Sequence, residues 1–353
     1  MNATTETLAP AALPVAAIVR RLALLGVALC LTVVVLGAWV RLTDAGLGCP
    51  DWPGCYGHVT PAGAMQNPGQ IESYSPGWAF DSGKAWREMI HRYAATTLGF
   101  VIVLITALAI AYRRQKAVSL PFALALLATV LVQGMLGAFT VWWLVKPLVV
   151  VLHLIGGLTT LSLLFWLWLD MRRRSGVVQA VPGSTATPTL DGARRAAVVA
   201  TVVVGLQIAL GGWTSSNYAA ISCPDFPTCQ AQWIPEGMDY ADAFVLWRGL
   251  DINYTGGVLE HPARVAIHFT HRVGAIVATL AVLLAAILAL RAAPTALVRN
   301  GALWALGGLG LQLLVGIFMV LETFPLVLAT GHNGGAALLL LAMLVLNRRL
   351  REA

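Results

Sequence analysis

Charged residues are scarce in this chain. Only 11% of the 353 residues are Asp, Glu, Lys or Arg, against about 25% in an ordinary soluble domain. Hydrophobic residues make up 58%, and the mean hydropathy is +0.77. This composition excludes a soluble protein and predicts one embedded in a membrane. The net charge of +7 then reflects membrane topology, and we expect no nucleic acid as a partner.

Long apolar runs account for most of the sequence. A run of about 20 apolar residues is long enough to cross a hydrocarbon core of about 30 Å as a helix. No small-residue cleavage site follows the first run, which therefore predicts an uncleaved span. The expected fold class is all-α, a polytopic membrane protein with eight transmembrane helices in contact with lipid. The predicted spans are roughly 19–40, 89–112, 118–141, 148–170, 196–214, 265–290, 300–321 and 325–347.

Arginine is distributed unevenly around these spans. With both termini inside, the inner segments hold most of the basic residues, including the runs at 172–174 and 348–349. The positive-inside rule favours this orientation. We therefore predict a multi-pass protein of the inner (cytoplasmic) membrane, with both termini cytoplasmic.

Two similar segments reveal an internal repeat. "CPDWPGC" begins at Cys49, and "CPDFPTC" begins 174 residues later at Cys223. We call residues 49–55 the first cysteine loop and residues 223–229 the second; the topology puts both on the outer side. Further matched segments follow in the same order in both halves. They are "HRYAATTLG" with "HRVGAIVATL", "QGMLG" with "QLLVG", and "PLVVVLHLIGG" with "PLVLATGHNGG".

The repeat divides the chain into two four-helix halves. They are residues 1–175 and 195–353, joined by a polar cytoplasmic linker at 176–194. An even number of helices per half gives both halves the same orientation, so the repeat is parallel. Since many transporters use inverted repeats, this weakens a transporter interpretation.

Four of the seven histidines occupy repeated positions: His91, His153, His271 and His332. Each half has two, on neighbouring helices and at similar depth near the outer face. They could bridge helices by hydrogen bonds, or ligate a haem iron from both sides. Zinc fits less well, because no third or fourth ligand lies at the same depth.

Arginines near these histidines favour haem. Arg92 and Arg272 each follow a histidine, and Arg41 lies near an outer span end. Arginine binds carboxylates in a bidentate manner and would suit haem propionates. For Arg41, snorkelling to the membrane interface is the alternative explanation and needs no ligand.

One acid breaks the symmetry. Glu88 lies three residues before His91, whereas the matching position of the second half is His268. A carboxylate one turn from an axial ligand could move protons beside a macrocycle. The alternative is an interfacial acid favoured by a helix N-terminus.

The segments "GAWVRLTDAGLGCPDWPGC" and "EMIHRY", the second "HR" and the deep histidines together resemble the haem A synthase family, in its bacterial type with paired outer-loop cysteines. The resemblance covers nearly the whole chain. It implies an oxidoreductase that converts the C8 methyl of haem O to a formyl group, giving haem A for terminal cytochrome oxidases. The resemblance also implies haem O as the substrate, haem b as the cofactor, and haem O synthase as the candidate partner that supplies the substrate. The electron donor is left open.

Matching positions carry the family's roles onto this chain. Glu88 would be the catalytic acid, and His91 and His153 the axial ligands of the substrate haem. His271 and His332 would ligate the iron of haem b.

We expect both cysteine pairs, Cys49–Cys55 and Cys223–Cys229, to form disulfides, since outer loops face an oxidising compartment and this spacing fits zinc poorly. Whether they are structural or redox-active is open. The alternative function is a quinol-linked, dihaem b-type electron carrier, in which an acid in only one half would have no purpose.

Overall fold

The computed structural model describes residues 13–75, 79–174, 188–292 and 295–353. Within these ranges the regular secondary structure is helical, with two isolated β-bridges in the cysteine loops. The α-helices are α1 (Leu13–Leu42), α2 (Pro61–Met65), α3 (Pro68–Tyr74), α4 (Ser82–Ala111), α5 (Leu120–Trp142), α6 (Pro147–Arg174), α7 (Pro188–Ser216), α8 (Tyr240–Ala243), α9 (His261–Ala292), α10 (Ala296–Leu321) and α11 (Leu326–Glu352).

Eight of these helices are long and apolar enough to cross a membrane, which confirms the predicted fold class. They are α1, α4, α5, α6, α7, α9, α10 and α11.

Six of the eight spanning helices begin earlier than predicted, and α4, which begins at Ser82 and not at residue 89, shows why. Asp81 caps α4, because its carboxylate accepts the backbone N–H of Lys84 at 3.0 Å. The predicted start at residue 89 is therefore wrong by seven residues, and His91 lies in the third turn of α4. The predicted start at residue 265 is likewise late, since α9 begins at His261 and places His271 at the end of its third turn.

The predicted linker is only partly described. Residues 175–187 lie outside the described residues, and α7 begins at Pro188, inside the predicted range of 176–194. Proline suits a first helical position because its missing N–H would have no partner there. Asp191 in the first turn complements the helix dipole.

The spanning helices pack as two four-helix bundles with the same internal order. In the first bundle, α1 and α5 each pack against α4 and α6; in the second, α7 and α10 each pack against α9 and α11. Between the bundles, α1 contacts α11 and α6 contacts α7. Each contact thus recurs with the halves exchanged, as a parallel repeat requires.

Buried apolar side chains fill one end of each bundle. In the first bundle this cluster includes Val19, Ile105 and Leu164, and in the second it includes Val282 and Met343. The cysteine loops follow the opposite ends of α1 and α7. The repeated histidines therefore lie between the apolar clusters and the cysteine loops.

Candidate haem-binding and catalytic site

The structure brings the predicted histidines together in two pairs. In the first bundle, His91 on α4 lies within electrostatic range of His153 on α6. In the second, His271 on α9 lies within the same range of His332 on α11. Each bundle thus presents one imidazole from each of two helices that are not adjacent in sequence.

Each imidazole lies edge-on against a glycine of a neighbouring helix. At Gly37, Gly211 and Gly316 an added Cβ would lie so close that the ring would have to shift, so the absence of a Cβ permits the close approach; at Gly137 the contact would be an ordinary one. The distances from an added Cβ to the histidine Cε1 are 3.0 Å for Gly37 and His91, 3.4 Å for Gly137 and His153, 3.1 Å for Gly211 and His271, and 2.9 Å for Gly316 and His332.

Several of these rings have a nitrogen without a partner. The Nδ1 atoms of His91, His153 and His332 are buried and make no hydrogen bond. Such groups are costly to bury, and most find a partner. Among the described residues, no group of three or more His, Cys, Asp or Glu could hold a metal ion. Haem needs only two protein ligands, so these residues fit haem better than they fit zinc.

Glu88 is buried beneath the first cysteine loop. Its side chain is in the second turn of α4, and the residue is only 4% exposed. One carboxylate oxygen, Oε2, accepts the backbone N–H of Cys49 at 2.9 Å, and the other forms an ion pair with Arg92. The influence of a helix dipole fades beyond the first turn, so an interfacial helix-end acid describes Glu88 poorly.

Arg92 connects this carboxylate to the loop. Its Nη1 donates to the carbonyl oxygens of Asp51 at 2.8 Å and Gly54 at 2.5 Å. The predicted propionate contact of Arg92 stays a prediction, and a propionate would have to join or displace these partners.

The second bundle repeats this arrangement without the acid. Arg272 donates to the carbonyl oxygens of Thr228 at 2.5 Å and Cys223 at 2.8 Å. Its Nε donates to Nε2 of the buried His268 at 3.2 Å. The ion pair of the first bundle is thus replaced by a hydrogen bond between arginine and imidazole.

The two cysteine loops have the same internal structure. Cys49 is bonded to Cys55, and Cys223 to Cys229. In both loops the aspartate after the Cys-Pro pair accepts two backbone N–H groups; for Asp225 they are those of Gln230 at 2.6 Å and Ala231 at 2.9 Å. Burial is the largest influence on the Asp225 carboxyl and opposes its ionisation, but bonds from Thr228 and these backbone groups outweigh burial and lower its pKa.

Arg41 joins the two halves. Its Nη2 donates to the carbonyl oxygen of Ser215 at 2.6 Å, and its guanidinium carbon lies 4.1 Å from the ring centre of Tyr218. The Tyr218 hydroxyl donates to Asp44 at 2.6 Å. Snorkelling alone does not describe these contacts, although a propionate role for Arg41 stays a prediction.

Comparison with known proteins places the chain in a family. The model of the COX15-CtaA family, described as "Cytochrome oxidase assembly protein", matches residues 20–344. The chain belongs to this family.

Individual relatives match this chain over most of its length and most of their own. A protein of Shewanella oneidensis named "Heme A synthase" is 41% identical over 90% of this chain and 92% of its own. Proteins of the same name from Chelativorans sp. and Rhizorhabdus wittichii are 27% and 26% identical. They cover 87% and 91% of this chain, and 84% and 90% of their own lengths.

Sequence reasoning missed the glutamines beside the histidines of this family member. The Nε2 of Gln207 lies 3.1 Å from Nδ1 of His271 and donates to its backbone oxygen at 2.9 Å. Gln312 also donates to the backbone oxygen of His332, at 3.0 Å, but lies against the other ring nitrogen, Nε2, at 3.3 Å. The sequence carries a signal for them, because a glutamine followed four residues later by a glycine occurs at Gln133, Gln207 and Gln312.

Proposed function

We propose that this chain is a haem A synthase, an oxidoreductase that converts the C8 methyl of haem O to a formyl group. Membership of the family and a 41% identical relative named "Heme A synthase" support this proposal. The observation that carries it is the repeated histidine pair, with a buried acid, Glu88, beside only one of the two pairs. A reaction confined to one half explains that difference.

Haem b is the proposed cofactor, held in the second half, 195–353, by His271 and His332. The buried, unpartnered nitrogen of His332 and the glycines opposite both rings support this assignment. When bound there, haem b would supply one-electron transfer. The side chains' part is to fix the iron from two helices.

Haem O is the proposed substrate of the first half, 1–175, where His91 and His153 would orient it. Glu88 is the proposed catalytic group, holding and releasing a proton at its carboxylate oxygens. The N–H of Cys49 and the guanidinium of Arg92 fix the direction of that carboxylate. The overlying first cysteine loop keeps bulk water away from it, as the 4% exposure of Glu88 indicates.

We further propose that the chain lies in the cytoplasmic membrane with both cysteine loops outside and both termini in the cytoplasm. The arginines at the ends of α6 and α11 support this orientation, since they lie at the end of the bundles opposite the cysteine loops. Haem O synthase is the proposed supplier of substrate.

A dihaem electron carrier is the second candidate, favoured by the similarity of the two histidine pairs. Extraction of haems from the purified protein separates the two functions. Haem O or haem A beside haem b supports the synthase, whereas haem b alone, in cells that make haem O, contradicts it.

A further inference from the structure

If the proposed function holds, the second half must retain its haem and the first half must exchange its haem. A cofactor haem must stay bound through many turnovers. A substrate haem must enter and leave once in each turnover. The residues that support the iron ligands should therefore differ between the halves.

In the second half both ligands contact a glutamine, each through a different ring nitrogen. Gln207 on α7 contacts Nδ1 of His271 at 3.1 Å and donates to its backbone oxygen at 2.9 Å. Gln312 on α10 contacts Nε2 of His332 at 3.3 Å and donates to its backbone oxygen at 3.0 Å, which leaves Nδ1 as the ring nitrogen without a partner. Each contact spans two helices and fixes the ring's orientation, while the other ring nitrogen stays available for iron. Neighbours that orient a metal-binding histidine contribute strongly to metal affinity.

A glycine three residues after each of these histidines makes room for the amide. A Cβ added at Gly335 would lie 2.5 Å from Oε1 of Gln312, and one at Gly274 would overlap Oε1 of Gln207. The support is therefore a two-part device, a glutamine on one helix and a glycine on the next.

In the first half the glutamine and the glycine are both present at His153 and both absent at His91. Gln133 lies over Gly156, three residues after His153, but its Nε2 makes no hydrogen bond. At His91 both parts are absent, since Val33 stands where the repeat has Gln207 and Ala94 stands where it has Gly274. The Val33 side chain offers no hydrogen bond, so the His91 ring has the backbone of Val33 as a neighbour but no side-chain amide to hold Nδ1.

We infer that Gln207 and Gln312 are positioning residues that retain haem b, and that Val33 and Ala94 leave His91 as the releasable ligand of the substrate site. The inference rests on the proposed function. Beyond that function, it names the residues that keep haem b bound in the second half and those that let the substrate haem leave the first half.

The first test measures transfer of haem b from the purified full-length protein to excess apomyoglobin. Gln207→Met keeps the side-chain volume but removes the hydrogen bonds, and should speed haem loss about tenfold. Gly274→Ala should do the same by displacing the amide. The double variant should lose haem no faster than either single variant, because both remove one contact. Gly205→Ala on the same helix is the matched control, since nothing lies within 4 Å of an added Cβ there.

The reciprocal test builds the device into the first half. Val33→Gln with Ala94→Gly should leave the low-spin spectrum of haem b unchanged and retain a second haem through purification. Wild-type rates of haem loss and an unaltered spectrum in Gln207→Met, with haem b present, would overturn the inference and leave the proposed function intact. Additive effects in the double variant would overturn it as well. A wild-type protein without haem b would instead defeat the proposed function, and the inference with it.

Discussion

Glu88 and Arg92 form one buried ion pair. Replacing Arg92 should cost more stability than replacing Glu88, whereas replacing Glu88 should cost more activity. Glu88→Gln leaves Arg92 bound to the loop carbonyls of Asp51 and Gly54. The glutamine carbonyl can still accept the N–H of Cys49. Arg92 loses its countercharge but keeps those loop carbonyl partners, so the loss should be that of one charged hydrogen bond, about 1.5–3 kcal/mol in the free energy of unfolding.

Arg92→Gln instead leaves the carboxylate of Glu88 buried without its countercharge. Breaking a buried pair in this way costs about 3–5 kcal/mol, so Arg92→Gln should be the less stable variant. Activity should follow the reverse order. Loss of a general acid–base group lowers the rate by about 10²–10⁴-fold, so Glu88→Gln should lose methyl oxidation while Arg92→Gln keeps a larger share at saturating haem O.

The assay combines thermal unfolding in detergent, haem b content from the low-spin spectrum, and chromatography of extracted haems. In Glu88→Gln, and in Glu88→Ala, haem b should stay while haem O or its hydroxymethyl form accumulates. If Glu88→Gln and Arg92→Gln each lose activity in proportion to their loss of stability, Glu88 only holds the loop. The presence of an acid in one half alone would then say nothing about catalysis.

Other expected outcomes concern the ligands and the cysteine loops. His271→Ala or His332→Ala should abolish or strongly alter the low-spin spectrum, because one axial ligand is lost; an unchanged spectrum in both contradicts the assignment. Alkylation of unreduced protein followed by mass spectrometry should leave both cysteine pairs unmodified; labelling of either pair refutes its disulfide. Replacing both cysteines of the first loop by serine should impair methyl oxidation more than the same change in the second loop, because only the first loop donates to Glu88. Equal losses would show that this contact does not matter.

The sequence predicted the fold well, because hydropathy identifies the spanning helices and the repeat shows which helices correspond between the halves. The apolar runs identified all eight spanning helices, and the repeated segments paired His91 with His271 and His153 with His332. Helix starts were less predictable, because Lys84 and Arg87 lie in α4 but outside its apolar run. Hydropathy detects the membrane-embedded part of a helix and not the turns that extend into the outer loops.

Side-chain contacts with loops and with other helices could not be predicted from the sequence. The propionate contact predicted for Arg92 stays a prediction, whereas its contacts with the loop carbonyls and with Glu88 were not foreseen. Gln207 was not singled out, because its partner His271 lies on another helix. A pattern along one helix identifies which face is polar but not which residue that face meets.

The most direct test of the central claim is the haem composition of cells that make haem O but lack any haem A synthase of their own. Haems extracted from their membranes, with and without this chain, are separated by chromatography. The account predicts haem A only when the wild-type chain is present, and its absence with Glu88→Ala. If the wild-type chain accumulates to normal levels with haem b bound, and haem O remains wholly unconverted, the claim that this protein synthesises haem A is contradicted.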